Sequence, residues 1–114
     1  MLIRTCRLAK ESLKTHNDPR IHARLAEFMK MKNANPMQMF GSSDKSFASD
    51  GYFQGFRHAH LTHDVSVIYR IYGKNPAIMD VYGVFSHDEI GTGQPANKKV
   101  QKSMAQRVNN STFD

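Results

Sequence analysis

Three of the six histidines in this 114-residue chain, His58, His60 and His63, fall with Asp64 just ahead of an apolar, β-branched run, in the stretch FRHAHLTHDVSVIYRIYG (56–73). A fourth, His87, directly follows a second apolar run, AIMDVYGVFS. Three readings fit these residue types. The first is a metal site. His58 and His60 stand two apart and share a strand face, and His63 or His87 could complete a three-histidine zinc set with one open position. The compact zinc signature H-E-x-x-H is absent, and the single cysteine, Cys6, allows no multi-cysteine site. No metal and no cofactor is therefore expected. The second reading is acid–base cleavage of a phosphodiester. A base takes the 2′-hydroxyl proton, an acid protonates the leaving 5′-oxygen, and a cation stabilises the charge building on phosphate. Histidine suits both proton roles because its ordinary pKa lies near working pH. Asp64 then orients a histidine or takes a proton itself, and Arg70 or a lysine serves the phosphate. The third reading is that these are ordinary strand-end polar residues.

Size and charge narrow the field. The length fits one domain, 1–114, with one modest core. The sequence lacks an apolar run of the ~18 residues that a membrane helix needs, and its start lacks a secretory signal pattern, so the cytoplasm is the expected location. Lys and Arg exceed Asp and Glu, 16 against 10, for a net charge of +6. Such an excess favours polyanionic partners, because it recruits phosphates and releases their counterions.

The elements that must position the histidines are legible in outline. Residues 2–9 (LIRTCRLA) read as an opening strand. A helix follows over about 18–32, with Asp18 as N-cap, Pro19 in its first turn, and Ile21, Leu25, Phe28, Met29 and Met31 at helical spacing. Residues 33–51 read as a long loop, stopped by NANP and rich in turn formers. Strands are expected at 53–62, 64–73 and 77–86, joined closely enough to form an antiparallel meander. By strict alternation Val65, Val67, Tyr69 and Ile71 oppose Ser66, Ile68, Arg70 and Tyr72. The same rule sets Ala77, Met79, Val81 and Phe85 against Ile78, Asp80, Tyr82 and Val84. A final helix spans 95–110, with Val100, Met104 and Val108 as its apolar stripe and Lys98, Lys99, Lys102 and Arg107 on its remaining surface. The fold class is α+β. In the meander, the end of the first strand meets the end of the third, which brings His60, Asp64 and His87 to one sheet edge.

With these segments in order, the chain resembles the RelE/ParE toxin superfamily, and within it the YafO-like and YafQ-like mRNA interferases. The resemblance rests on PMQMFGSSD (36–44), FRHAHL (56–61), SVIY (66–69) and FSHDEIGTGQPANKKVQKSMAQR (85–107). It implies a RelE-like fold: a small, mostly antiparallel sheet packed by an N-terminal-half helix, with a basic C-terminal helix. It also implies a type II toxin that enters the ribosomal A site, cleaves translated mRNA, and is held inactive by a cognate antitoxin. On that pattern His60, Asp64 and His87 match the catalytic positions, and His58 stands in for an earlier catalytic histidine that has no direct counterpart. Which of His60 and His87 is base and which acid stays open. His63 fits a turn residue as well as a site member. Arg70, Lys98, Lys99, Lys102 and Arg107 become RNA-binding candidates. The sequence departs from the pattern at Ile90 and Gly91, where YafQ-type toxins carry an aromatic residue, and the RelE-like catalytic arginines are not evident. The alternatives are a ParE-like inhibitory binding protein that cuts nothing, and a small zinc hydrolase.

Overall fold

The computed structural model describes residues 1–113. The long helix forms where its cap chemistry requires. Asp18 accepts the Arg20 N–H at 2.8 Å, and Pro19 opens α2 (Pro19–Ala34). Ile21, Leu25 and Phe28 of this helix are buried. Five strands form one mixed sheet in the order β1-β5-β4-β3-β2: β1 (Leu2–Thr5), β2 (Lys45–Ser46), β3 (Arg57–His60), β4 (Val65–Tyr72) and β5 (Ile78–Ser86). The meander is present, because β3, β4 and β5 pair antiparallel, while β1 adds at the edge parallel to β5.

Each face of the sheet has its own core. On one face α2 packs Ile21, Leu25 and Phe28 against Ala59, Val65, Val67, Tyr69, Met79 and Val81. On the other, Ile68, Tyr82 and Phe85 meet Leu8 and Ala9 of α1 (Arg7–Thr15), Ile90 of α3 (His87–Ile90) and Met104, Ala105 and Val108 of α4 (Lys98–Asn109). Helix on sheet on helix is a standard three-layer solution for burying both faces of a sheet.

Four expectations need correction. The opening strand ends at Thr5, and residues 7–15 are helical. The stripe Leu8, Ala9 and Ser12 has helical spacing, but its third member is a serine, which breaks the apolar pattern. The first strand of the meander begins at Arg57 rather than 53, and a two-residue strand, β2, lies inside the long loop. The last helix starts at Lys98, capped by Asn97, rather than at Pro95. The fourth correction matters most for function. Strict alternation fails in β5, because Ile68 pairs with Gly83 and Tyr69 with Val81, leaving Tyr82 unopposed in a β-bulge. Val84 consequently joins Met79 and Val81 on the α2 face, and Phe85 joins Tyr82 on the opposite one.

Two neighbours hold this bulge. Beyond the Thr5–Val81 pair no strand among the described residues pairs with the outer side of β5, and the Ser12 hydroxyl there accepts the Val84 N–H at 3.0 Å. Gly83 has φ +149°, and a Cβ there would stand 2.5 Å from the Phe85 ring and 2.8 Å from the Ser12 hydroxyl. Gly83→Ala therefore combines backbone strain with overpacking and is expected to destabilise by at least about 2 kcal/mol. A lowered urea midpoint at unchanged m-value checks this.

Candidate active site

The bulge reverses the side of the sheet on which β5 ends. Odd-numbered residues of β5 before it, Met79 and Val81, face α2, whereas Phe85 beyond it faces the same way as Ile68. On β3, Ala59 is in the α2 core, so His58 and His60 point to the other side. His87 follows β5 on that same side, and its Nε2 lies 3.3 Å from His60 Nε2. The rings meet near edge-on, with centroids 5.3 Å apart. Asp64, in the turn between β3 and β4, places Oδ1 3.8 Å from His87 Nδ1, beyond hydrogen-bond length but within ion-pair range of a charged ring. The three residues gathered by topology are thus brought together.

Each is held by identifiable groups. His60 ends β3, opposite Ser66, and its backbone N–H donates to Ser43 Oγ at 3.0 Å. His87 opens α3 behind a complete capping box: Ser86 Oγ accepts the Glu89 N–H, and Glu89 Oε1 accepts the Ser86 N–H at 2.8 Å. His16, at the end of α1, contacts the same carboxylate oxygen at 2.5 Å. Burial alone would raise the Glu89 pKa, but the bonds from Ser86 and His16 outweigh it and hold the group below its ordinary value. Gly91 closes α3 with φ +75°, and Asn97 donates its N–H to the Gly91 carbonyl at 2.9 Å.

A buried polar network seats the long loop beneath the histidines. Lys32 Nζ donates to Asp44 Oδ2 and to the Gln38 carbonyl, both at 2.6 Å, and the Phe40 N–H reaches the same carboxylate at 2.8 Å. Tyr69 donates to Asp44 Oδ1, while Arg57 donates to the Tyr69 hydroxyl at 3.0 Å and to Asp44 Oδ1 at 3.3 Å. Burial would raise the Asp44 pKa, but the bonds from Lys32, Tyr69 and Phe40 win and keep it below the usual carboxylate range. Fixing Asp44 fixes Ser43 under His60 and sets Lys45 opposite His58. The sequence reading missed this network, as it missed Glu89 and Lys45. Its one visible signal was a lysine, Lys32, in phase with Ile21, Leu25 and Phe28 on the apolar face of α2.

The remaining candidates separate. His58 shares the face of His60 but stacks on Phe47, with centroids 4.3 Å apart. Burial, then the charges of Lys45 and His60, pushes its pKa down to about 4, so the ring is neutral at neutral pH. Since the unfolded chain binds that proton at its ordinary 6.5, protonation favours unfolding between the two values. Stability is therefore expected to fall as pH drops from 6.5 towards 4, and His58→Phe is expected to flatten that slope in urea titrations. His63 is exposed in the β3–β4 turn, and its charge contributes to the lowered His60 pKa. Arg70 stands four residues beyond Ser66, about 13 Å along β4 from the His60 register, stacked over Phe56 and Tyr72. It is not part of the histidine cluster. On α4, Lys98, Lys99 and Lys102 fall within an arc of about 100°, and Arg107 lies roughly 80° beyond it. Arg107 turns towards Glu11 of α1, at 3.8 Å. The three lysines are exposed and form one basic surface.

The facing nitrogens of the cluster can pass a proton between the rings. Nitrogens at 3.3 Å accommodate one N–H···N bond, with one ring as donor and the other as acceptor. His87 meets His60 through Nε2 and Asp64 through Nδ1, so a single ion cannot take all three through the atoms that face each other. Among the described residues, no group of three His, Cys, Asp or Glu side chains converges to hold a metal.

No protein-family model matches the sequence, and no curated protein does. Solved structures do match in shape. The YoeB/ParE toxin from Agrobacterium tumefaciens superposes with a TM-score of 0.63 at 15% identity, over 76% of this chain and 99% of that one. YafQ from E. coli strain BL21(DE3) gives 0.59 at 14% identity, over 75% and 92%. The E. coli DinJ–YafQ complex gives 0.58 at 16% identity, over 75% and 92%. The five-stranded mixed sheet and its flanking helices therefore share the fold of these toxin structures.

Proposed function

We propose that this chain is the toxin of a type II toxin–antitoxin pair, an endoribonuclease that cuts translated mRNA in the ribosomal A site. The observation that carries this reading is the His60–His87 contact, with Asp64 at the far nitrogen of His87. In the reaction, a base takes the 2′-hydroxyl proton, the 2′-oxygen attacks phosphorus, and the P–O5′ bond breaks as an acid protonates the leaving oxygen. The products are a 2′,3′-cyclic phosphate and a 5′-hydroxyl, with one proton taken up and one given. His60 is the base, because burial, then the charges of His87 and His63, lower its pKa and favour the neutral ring. His87 is the acid, oriented by Asp64. The scissile phosphate enters between the rings and spreads them, with Lys45 and the α4 lysines meeting RNA phosphates. The metal-independent scheme leaves each step to a side chain of this cluster.

A cognate antitoxin is the expected protein partner, by likeness to the DinJ–YafQ complex. Among the described residues, no helix is long and apolar enough to cross a membrane, and the proposed work on ribosomes places the protein in the cytoplasm.

The pH dependence follows from the roles. A base must be neutral to act, so kcat/KM rises with pH until His60 is deprotonated, with its midpoint below the ordinary 6.5. Single-turnover cleavage across pH checks this, and a rising limb centred above 6.5 would exclude His60 as the base.

The reading itself is tested with end-labelled mRNA in a reconstituted translation reaction, with and without ribosomes. Cuts at codons only when ribosomes are present support it. Cleavage of naked RNA keeps the nuclease but removes the ribosome. Growth inhibition without any cleavage moves the protein to the non-catalytic, ParE-like class.

A further inference from the structure

Beside the histidine pair lies a cavity of about 280 Å³ lined by Lys45, Phe47, His58, Ser66, His87, Ile90 and Thr92. Its size is at the lower end of ligand pockets, suited to one small planar group rather than an extended molecule. Two features of its lining are unusual. Ser66 is 1% exposed, and its hydroxyl is the one buried side-chain polar atom among the described residues without a hydrogen-bond partner. Leaving such a group unpaired costs about 1–3 kcal/mol, so native structures rarely keep one without a use. His58, which forms the wall next to it, is held neutral by burial. It therefore offers one nitrogen donor and one acceptor without a charge.

Register places these groups with respect to the chemistry. Ser66 pairs with His60 on one side and Phe85 on the other, so its side chain stands on the His60 face of the sheet. Lys45 pairs with His58 at the rim. Neutral donors and acceptors on an apolar floor, next to a cation at the edge, complement a heterocycle attached to a phosphate. Single-stranded RNA is read in this way, with splayed bases hydrogen-bonded along their edges.

Building on the nuclease reading above, we propose that this cavity is the subsite for one nucleobase flanking the scissile phosphate, and that Ser66 and His58 read its hydrogen-bonding edge. The subsite makes this chain selective for a base at the cut, through edge recognition from the sheet face. Side-chain rotation at the walls, common when partners bind, lets the edge reach the Ser66 hydroxyl. Serine both donates and accepts, and neutral His58 adds one donor and one acceptor, so the two together set which base is preferred.

The test separates base binding from RNA cleavage. The isotope-labelled protein is titrated by NMR with each of the four nucleoside 3′-monophosphates, for wild type, Ser66→Ala and His58→Phe. Ser66→Ala folds, because deleting an unpaired buried hydroxyl is neutral or stabilising, and its Tm should match or exceed wild type. One nucleotide is expected to bind most tightly and to shift the Ser66 and His58 signals. That preference is expected to fall about five- to tenfold in Ser66→Ala, the worth of one hydrogen bond, and likewise in His58→Phe. The proposal is overturned if no nucleotide shifts these signals, or if the order of affinities is unchanged in both variants. Base-selective binding in a protein that cuts no RNA keeps the subsite and removes the nuclease. Ribosomal cleavage with no base-dependent binding here does the reverse.

Discussion

His87→Ala is expected to lower mRNA cleavage by about 10²–10⁴-fold, the usual worth of one placed acid or base, and to abolish growth inhibition. Truncation leaves His60 Nε2 without the partner that stands at 3.3 Å in the wild type, and leaves Asp64 nothing to orient. Little stability should be lost, since the His87 side chain is 35% exposed and the capping box of α3 is made by Ser86 and Glu89. An unchanged Tm and retained antitoxin binding would show that only chemistry has gone. His60→Ala should produce a comparable loss. The double variant should fall little further, because residues acting as a unit are not additive. A His87→Ala protein that cuts at the wild-type rate would remove His87 from the reaction. One that still arrests growth without cutting would make this chain an inhibitory binding protein.

Asp44→Ala should cost about 3–5 kcal/mol, the range for breaking a buried ion pair by removing one member. Asp44 is fully enclosed, and its loss leaves the Lys32 ammonium, 3% exposed, without a counter-charge and hydrogen-bonded to the Gln38 carbonyl. Tyr69 and Arg57 lose their shared acceptor as well. Against a total of about 5–15 kcal/mol for a small domain, such a loss is severe. The melting temperature should fall by roughly 10–20 °C. Removing both charges with Lys32→Met and Asp44→Leu together should cost much less than the single change, because no uncompensated charge remains. Thermal melts of the wild type and the two variants read this directly, and a mild Asp44→Ala phenotype would mean the ion pair contributes little. The loop also carries Ser43, the acceptor of the His60 N–H, so Asp44→Ala should lower cleavage even at temperatures where the protein stays folded.

Much of the frame was legible because it follows from local rules. Asp18 and Pro19 mark the start of α2, and Val65, Val67 and Tyr69 alternate with Ser66 and Ile68 across the two cores. The meander follows from short connections, and with it the meeting of His60, Asp64 and His87 at one edge. Helix α1 escaped because one of the three buried members of its stripe is Ser12, whose value lies in a bond to Val84, a residue 72 positions away. The Lys32–Asp44 pair escaped for a similar reason: a charged residue reads as solvated until its partner is placed beside it.

By itself, then, the amino-acid sequence determined the α+β class, the antiparallel order of three strands and the edge at which the histidines gather. Each of these depends on residues close together in the chain. The side of the sheet on which His87 arrives was a tertiary decision. Counting by twos along β5 sends His87 to the α2 face, away from His60, and only the extra residue at Tyr82–Gly83 turns it back. That bulge exists because Gly83 can hold φ +149° and Ser12 satisfies the Val84 N–H. Neither condition can be read from β5 alone, since a β-bulge is a property of two strands and whatever packs against them.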